Sequence, residues 1–138
     1  MAQESEDDKI RCDEMEQYSI LEETVKQNID YDVLLQSYPN EGQLVQGIYE
    51  LIVETVAYIG KKLVVASNEL PAELVKNRLM KLNFMHIQYV ISSMKKNTTE
   101  IKNIKKYLLA ALYNAPATMQ GYYQAEVNHA MPQYAKRN

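Results

Sequence analysis

The chain has 138 residues and a formal net charge of -3, with 46% hydrophobic and 24% charged residues. This composition is that of an ordinary globular protein, and the length suits one domain with a sizeable core. No apolar run approaches the roughly 18 residues that a membrane span needs, and the acidic start lacks the pattern of a signal peptide. The single cysteine, Cys12, cannot form an internal disulfide, so we expect a cytoplasmic protein.

The charge is distributed unevenly along the chain. Residues 1–59 contain fourteen acidic residues and three basic ones, whereas residues 60–115 contain ten basic residues and three acidic ones. A basic half within an acidic chain is compatible with nucleic-acid binding, and equally with an acidic protein partner.

The distribution of apolar residues divides the chain into three regions. Residues 1–16 are acidic with little apolar spacing, which is typical of a disordered leader. Residues 17–131 contain several segments with helical apolar periodicity and are predicted to form one helical domain. Residues 132–138 follow as a C-terminal tail.

Within the domain, every long apolar pattern has a helical period. The exception is Lys61–Ser67, KKLVVAS, which is β-branched in its middle and too short for a helix. We predict an extended segment or half of a small hairpin there, with the turn at residues 68–70. Asn83 is placed to cap a helix. The predicted helices cover residues 18–28, 31–37, 40–59, 71–82, 84–96, 97–116 and 118–127. Together they predict an all-α, compact multi-helix bundle.

The helix within Asn97–Thr118 has the sharpest predicted ends. Thr98 or Thr99 can cap its first turn, and Asn114 and Pro116 are predicted to end it, because proline removes a hydrogen-bond donor. The residues predicted to face the core are Ile101, Ile104, Leu108, Ala111 and Leu112.

The other side of this helix carries the main candidates for a binding site. Lys102, Lys105 and Lys106 lie next to Tyr107, and such a combination can contact phosphates and stack on a base. The alternative is an ordinary solvated face. The predicted DNA-binding set also contains basic residues and tyrosines around this helix: Lys76, Arg78, Lys81, Lys95, Lys96, Tyr113, Tyr122 and Tyr123.

Catalytic patterns are weak. His86 and His129 are far apart in sequence, and Cys12 has no histidine nearby. The sequence contains no H-E-x-x-H, G-x-S-x-G or phosphate-binding glycine loop. We therefore expect a protein that is not an enzyme and that uses no cofactor and no metal.

Residues 71–135 resemble a known family. The string NIKKYLLAALYNAP, followed by YY-x-AEVNH, resembles the C-terminal domain of replication initiator protein A. Those RepA_N-type initiators are encoded on bacterial plasmids and integrative elements. The resemblance extends more loosely back to Tyr31.

The resemblance implies a DnaD-like helical fold, as in primosomal proteins. In that wider family a tyrosine is followed at four-residue intervals by an aliphatic residue and a tryptophan. Here Tyr107 holds the first place, while Ala111 and Ala115 depart from the pattern at the other two. The winged-helix domain that would recognise an origin is not in this sequence.

The implied role is therefore accessory to replication initiation. The domain would hold single- or double-stranded DNA nonspecifically, or recruit host primosome and helicase-loading proteins. The alternative is a protein-interaction module that recruits a helicase loader and has little DNA binding. Neither role involves a membrane, and oligomerisation is left open.

Overall fold

The structure, a computed structural model, describes residues 6–97 and 100–130, without the side chains of Asp7 and residues 122–130. It confirms the predicted mostly helical, compact fold with one small hairpin. A single 3-10 turn, Pro39–Glu41, precedes α3. The elements are α1 Glu6–Ile29, α2 Tyr31–Ser37, α3 Gly42–Ala57, β1 Lys62–Val65, β2 Asn68–Pro71, α4 Ala72–Met80, α5 Phe84–Lys96 and α6 Ile104–Ala130.

Helix α3 lies at the centre of the bundle. It packs against α1, α2, α4 and α6, and residues such as Ile48 and Ile52 are fully buried. Because other helices cover α3 on several sides, six of its sixteen residues are buried apolar side chains. The predicted helix over residues 40–59 is too long: α3 ends at Ala57, and Ile59 is 97% exposed in the loop that follows.

Helix α1 begins well before its predicted start. Residues 1–16 are predicted to be a disordered leader, and the structure describes residues 6–16 of this segment as the first half of α1. Good helix formers such as glutamate, lysine and methionine fill this segment, and no proline or glycine interrupts it. Residues 8–20, including Cys12, are all exposed, and α1 enters the core only with Val25 and Ile29. Residues 1–5 lie outside the described part of the chain.

The predicted extended segment is the first strand of a two-stranded antiparallel hairpin. Leu63 lies opposite Leu70, and Val65 opposite Asn68. The turn is formed by Ala66 and Ser67, with φ values of 52° and 68°. Two consecutive positive φ values are typical of the type I′ turn that matches strand twist. The predicted turn at residues 68–70 is therefore wrong, because the usual Asn-Gly signal of this turn is missing from the sequence.

The prediction that Asn83 caps α5 is confirmed. The Asn83 Oδ1 atom accepts a hydrogen bond from the His86 backbone N–H at 3.1 Å. In return, the Asn83 backbone N–H donates to Nδ1 of His86, also at 3.1 Å. This reciprocal pair is a capping box with histidine in the place usually held by glutamate or glutamine.

Helix α6 differs from its prediction at both ends. It begins at Ile104, where the Asn103 side chain accepts from the Lys106 backbone N–H at 3.0 Å. It then continues through Pro116 to Ala130, so the predicted end at residues 114–116 and the separate helix from 118 are both wrong. Packing of α6 against α3, α4 and α5 outweighs the local cost of the proline. Thr98 and Thr99 lie outside the described residues.

The predicted inward face of α6 is correct only in its middle. Leu108 and Leu112 are buried as predicted, and Ile101 and Ala111 are half-buried. Ile104 is 51% exposed, because it stands in the first turn, where α6 has only begun to meet α3. Among the described residues, no helix is both long and apolar enough to cross a membrane.

Candidate nucleic-acid interface

The end of α5 and the start of α6 lie side by side. The two helices pack along each other and are joined by a short connection, so they are antiparallel neighbours. The last turn of α5 and the first turn of α6 are therefore at the same end of this helical pair. We call the five lysines at that end the basic end: Lys95, Lys96, Lys102, Lys105 and Lys106.

Two members of the basic end are already paired with carboxylates. Lys95 forms an ion pair with Glu41, and Lys105 forms one with Glu54 at 2.9 Å between Nζ and Oε2. The other three, Lys96, Lys102 and Lys106, are exposed and form no ion pair within the described part of the chain. These three ammonium groups have no carboxylate partner among the described residues, and the connection between α5 and α6 also contains one exposed acidic residue, Glu100.

The helix end adds to this charge. Lys105 and Lys106 lie in the first turn of α6, where unsatisfied backbone N–H groups give the helix a partial positive charge. The Asn103 side chain satisfies the N–H of Lys106. Two cations at this position oppose the helix dipole, which makes the end a favourable environment for an anion.

Tyr107 is less available than the sequence suggests. Its side chain is half-buried and packs against the hydrophobic core. With Tyr89, Ala111 and Asn114 it lines a groove of about 310 Å³ between α5 and α6. The ring can therefore offer an edge to a ligand in the groove.

The basic residues of α4 are separated from the basic end. Arg78 lies with its guanidinium carbon 4.2 Å from the ring centre of Tyr113, and Tyr113 is about 12 Å along α6 from Lys105. Lys76 is mostly buried and pairs with Glu73 at 3.7 Å. The predicted DNA-binding residues are thus divided between two basic regions, the basic end at the start of α6 and a second region near the middle of α6. Tyr122 and Tyr123 lie in α6, but their side chains are outside the described residues.

The second region borders a cavity of about 310 Å³, which we call the α4 cavity. It is lined by Arg78 and Lys81 near the end of α4, by His86 in the first turn of α5 and by Tyr113 of α6. Pro116, Ala117 and Gln120 complete the lining.

The hydrogen bonding of His86 determines which ring nitrogen carries the proton in the neutral form. Nδ1 accepts the Asn83 N–H, so in the neutral ring the proton is on Nε2. Partial burial lowers the pKa of His86 from its ordinary value of 6.5. The neutral ring therefore lines the α4 cavity as a donor at neutral pH. His86 is not among the predicted site residues, although the spacing Asn83-x-x-His86 resembles that of a capping box.

A tyrosine cluster lies elsewhere, where α1, α2 and α3 meet. The rings of Tyr31 and Tyr49 are 4.7 Å apart, and the Lys26 ammonium lies within 6 Å of both ring centres. Burial and the nearby Glu22 carboxylate raise the pKa of Tyr49 to about 12. The cluster ties three helices together, so we assign it to stability.

The family to which the chain belongs was identified by comparison with protein-family models. Residues 4–133 match the model described as a family of unknown function, DUF6017. The chain belongs to the DUF6017 family. No similar protein was found among curated proteins or among solved structures. Among the described residues of this DUF6017 member, no group of three or more histidine, cysteine or acidic side chains could hold a metal ion.

The capping role of His86 predicts a pH dependence of stability. Because its pKa is lower in the folded chain, the unfolded chain binds the proton more readily, and stability falls as pH drops below about 6.5. Protonation of Nδ1 would also break the bond from the Asn83 N–H. We expect His86→Gln, which can still cap but does not titrate, to reduce this loss between about pH 7.5 and 5.5. Denaturant unfolding at several pH values measures the free energy of unfolding of both proteins. If His86→Gln shows the same dependence of this free energy on pH as the unchanged protein, His86 is not the group responsible.

Proposed function

We propose that this protein is an accessory domain for DNA replication initiation that holds DNA nonspecifically through its basic end. The observation that supports the proposal best is the group of three unpaired lysines, Lys96, Lys102 and Lys106, at one end of the α5–α6 pair. The resemblance of residues 71–135 to the C-terminal domain of replication initiators supports the same role.

The physical basis is neutralisation of phosphates. Each lysine that contacts a phosphate releases a counterion, which gives sequence-independent affinity that weakens with salt. The positive first turn of α6 adds to the attraction without selecting a sequence. The groove beside Tyr107 would admit the edge of an unstacked base. Only a single strand offers such bases, so it would bind more tightly than a duplex that makes the same number of phosphate contacts.

A second candidate function is the docking of a replication protein. The groove beside the basic end has a largely apolar lining that includes Val90, Ala110 and Ala111. An apolar groove rimmed by charge is a common form of protein interface. In this alternative the lysines attract an acidic helicase loader, and DNA binding is weak.

We expect the double reversal K102E/K106E to weaken DNA binding for all sequences alike. At moderate salt each lost contact costs severalfold in affinity, and the slope of log affinity against log salt falls by roughly 0.9 per duplex contact or 0.7 per single-strand contact. Fluorescence anisotropy with labelled single- and double-stranded DNA over a series of salt concentrations measures both quantities.

The matched control is K9E/R11E on the exposed half of α1. It changes the net charge by the same amount but away from the basic end, and both residues are exposed. If both double variants weaken DNA binding equally, DNA affinity depends only on net charge, and the assignment of the DNA-binding site to the basic end is wrong. If K102E/K106E keeps its DNA affinity but no longer captures a purified helicase loader, the docking function replaces the proposal.

A further inference from the structure

The α4 cavity has a lining that is unusual for a packing defect. Two of its side chains, Arg78 and Lys81, are cationic, and none of its lining residues is acidic. Neither cation forms an ion pair within the residues that the structure describes. Both side chains are exposed, so the α4 cavity is open to solvent, and its rim carries two positive charges that form no ion pair with a described carboxylate.

The donors of the cavity differ in geometry in a way that suits an oxyanion. The guanidinium carbon of Arg78 lies 4.2 Å from the centre of the Tyr113 ring, and a guanidinium that packs on a ring keeps N–H groups free for two parallel hydrogen bonds. Lys81 adds a flexible ammonium, and neutral His86 adds an Nε2–H donor. The guanidinium, the ammonium and the imidazole N–H are three separate donors around one small volume. They can be satisfied together by an anion with three or more oxygens, whereas a carboxylate has only two.

Apart from the polar Gln120, the remaining lining is mainly apolar. Tyr113 and Pro116 present rings, and Ala117 presents a methyl group. A volume of about 310 Å³ is at the lower end of the range for small-molecule sites, which suits one phosphate and the ring attached to it.

We propose that the α4 cavity is a phosphate-binding site that takes the phosphate of a single nucleotide, with Arg78, Lys81 and His86 as donors and Tyr113 beneath the attached ring. The nucleotide is either free or part of a single strand. This site is separate from the basic end and does not depend on DNA binding there.

The test measures binding of four probes to the full chain by calorimetry or NMR: inorganic phosphate, a mononucleotide, and one short single strand with and without a 5′-phosphate. We expect saturable binding of the mononucleotide, tighter than that of inorganic phosphate. R78Q/K81Q should weaken it at least ~10-fold, because charge-assisted hydrogen bonds are lost. The control K9Q/R11Q removes one lysine and one arginine from α1 and should leave the mononucleotide affinity unchanged.

Three further measurements test the proposal. Bound phosphate should raise the pKa of His86, which NMR follows directly through the imidazole proton signals. If R78Q/K81Q unfolds, K81Q alone, which leaves the Arg78–Tyr113 stack intact, should still weaken binding severalfold. K102E/K106E should not change mononucleotide affinity, so failure of the basic end and failure of this site are distinguishable.

The strand probes decide the source of the phosphate. A preference for the 5′-phosphorylated strand supports a terminal phosphate, and equal binding of both strands at this site supports an internal one. The absence of saturable mononucleotide binding would overturn the proposal. An equal loss of mononucleotide affinity in R78Q/K81Q and in K9Q/R11Q would also overturn it.

Discussion

Replacing Leu112 by alanine is expected to lower the free energy of unfolding by about 2–5 kcal/mol. The Leu112 side chain is 0% exposed and belongs to the main hydrophobic cluster, where α6 meets its neighbours. The substitution removes buried apolar atoms and leaves a cavity that the rigid surroundings fill only in part. Urea or guanidinium unfolding measures the loss.

The control is Ile104→Ala on the same helix. Ile104 is half-exposed, so truncation removes little buried area, and a change within about half a kcal/mol is expected. Equal losses at both positions would mean that the first turn of α6 is covered in solution. A small loss at Leu112 would mean that the wrong face of α6 has been placed inward.

Replacing Pro116 by alanine is expected to raise the free energy of unfolding by about 1–3 kcal/mol. In the structure the helix continues through Pro116, which cannot donate to the Leu112 carbonyl. Alanine restores that donor, and proline is about 3 kcal/mol less favourable than alanine in a helix interior. The gain is measured by denaturation, with circular dichroism as a check on helix content.

Pro39→Ala provides the comparison. Pro39 opens a 3-10 turn, where its fixed φ is favourable, so alanine there should give no gain and a small loss. If Pro116→Ala also fails to stabilise, the helix ends before residue 116, as the sequence alone predicts.

The elements that were predicted correctly depend on local chemistry. The stripe of α3, the cap at Asn83 and the extended segment after Gly60 were all visible within a few residues of sequence. The errors arose where distant contacts outweigh local preference. Pro116 should end a helix by itself, but α6 continues because neighbouring helices cover it on one side. Similarly, the turn at Ala66 and Ser67 has no sequence signal, and strand pairing imposes its two positive φ values.

The site was predictable only in part for the same reason. The lysines of the basic end were found because they are close in sequence and flank one short connection. The carboxylates that pair with Lys105 and Lys95 were not predicted, because Glu54 and Glu41 lie about fifty residues earlier in the sequence. The α4 cavity requires three helices to meet, and no periodicity in α4 alone shows that Arg78 will stack on Tyr113.

The exposed half of α1 gives the protein a convenient experimental property. Its residue Cys12 is the only cysteine in the chain, and its side chain is exposed. A thiol-reactive dye therefore attaches at one place without any mutation. The rotational freedom of that dye would report directly whether this half of the helix stays free in solution or becomes held against a partner.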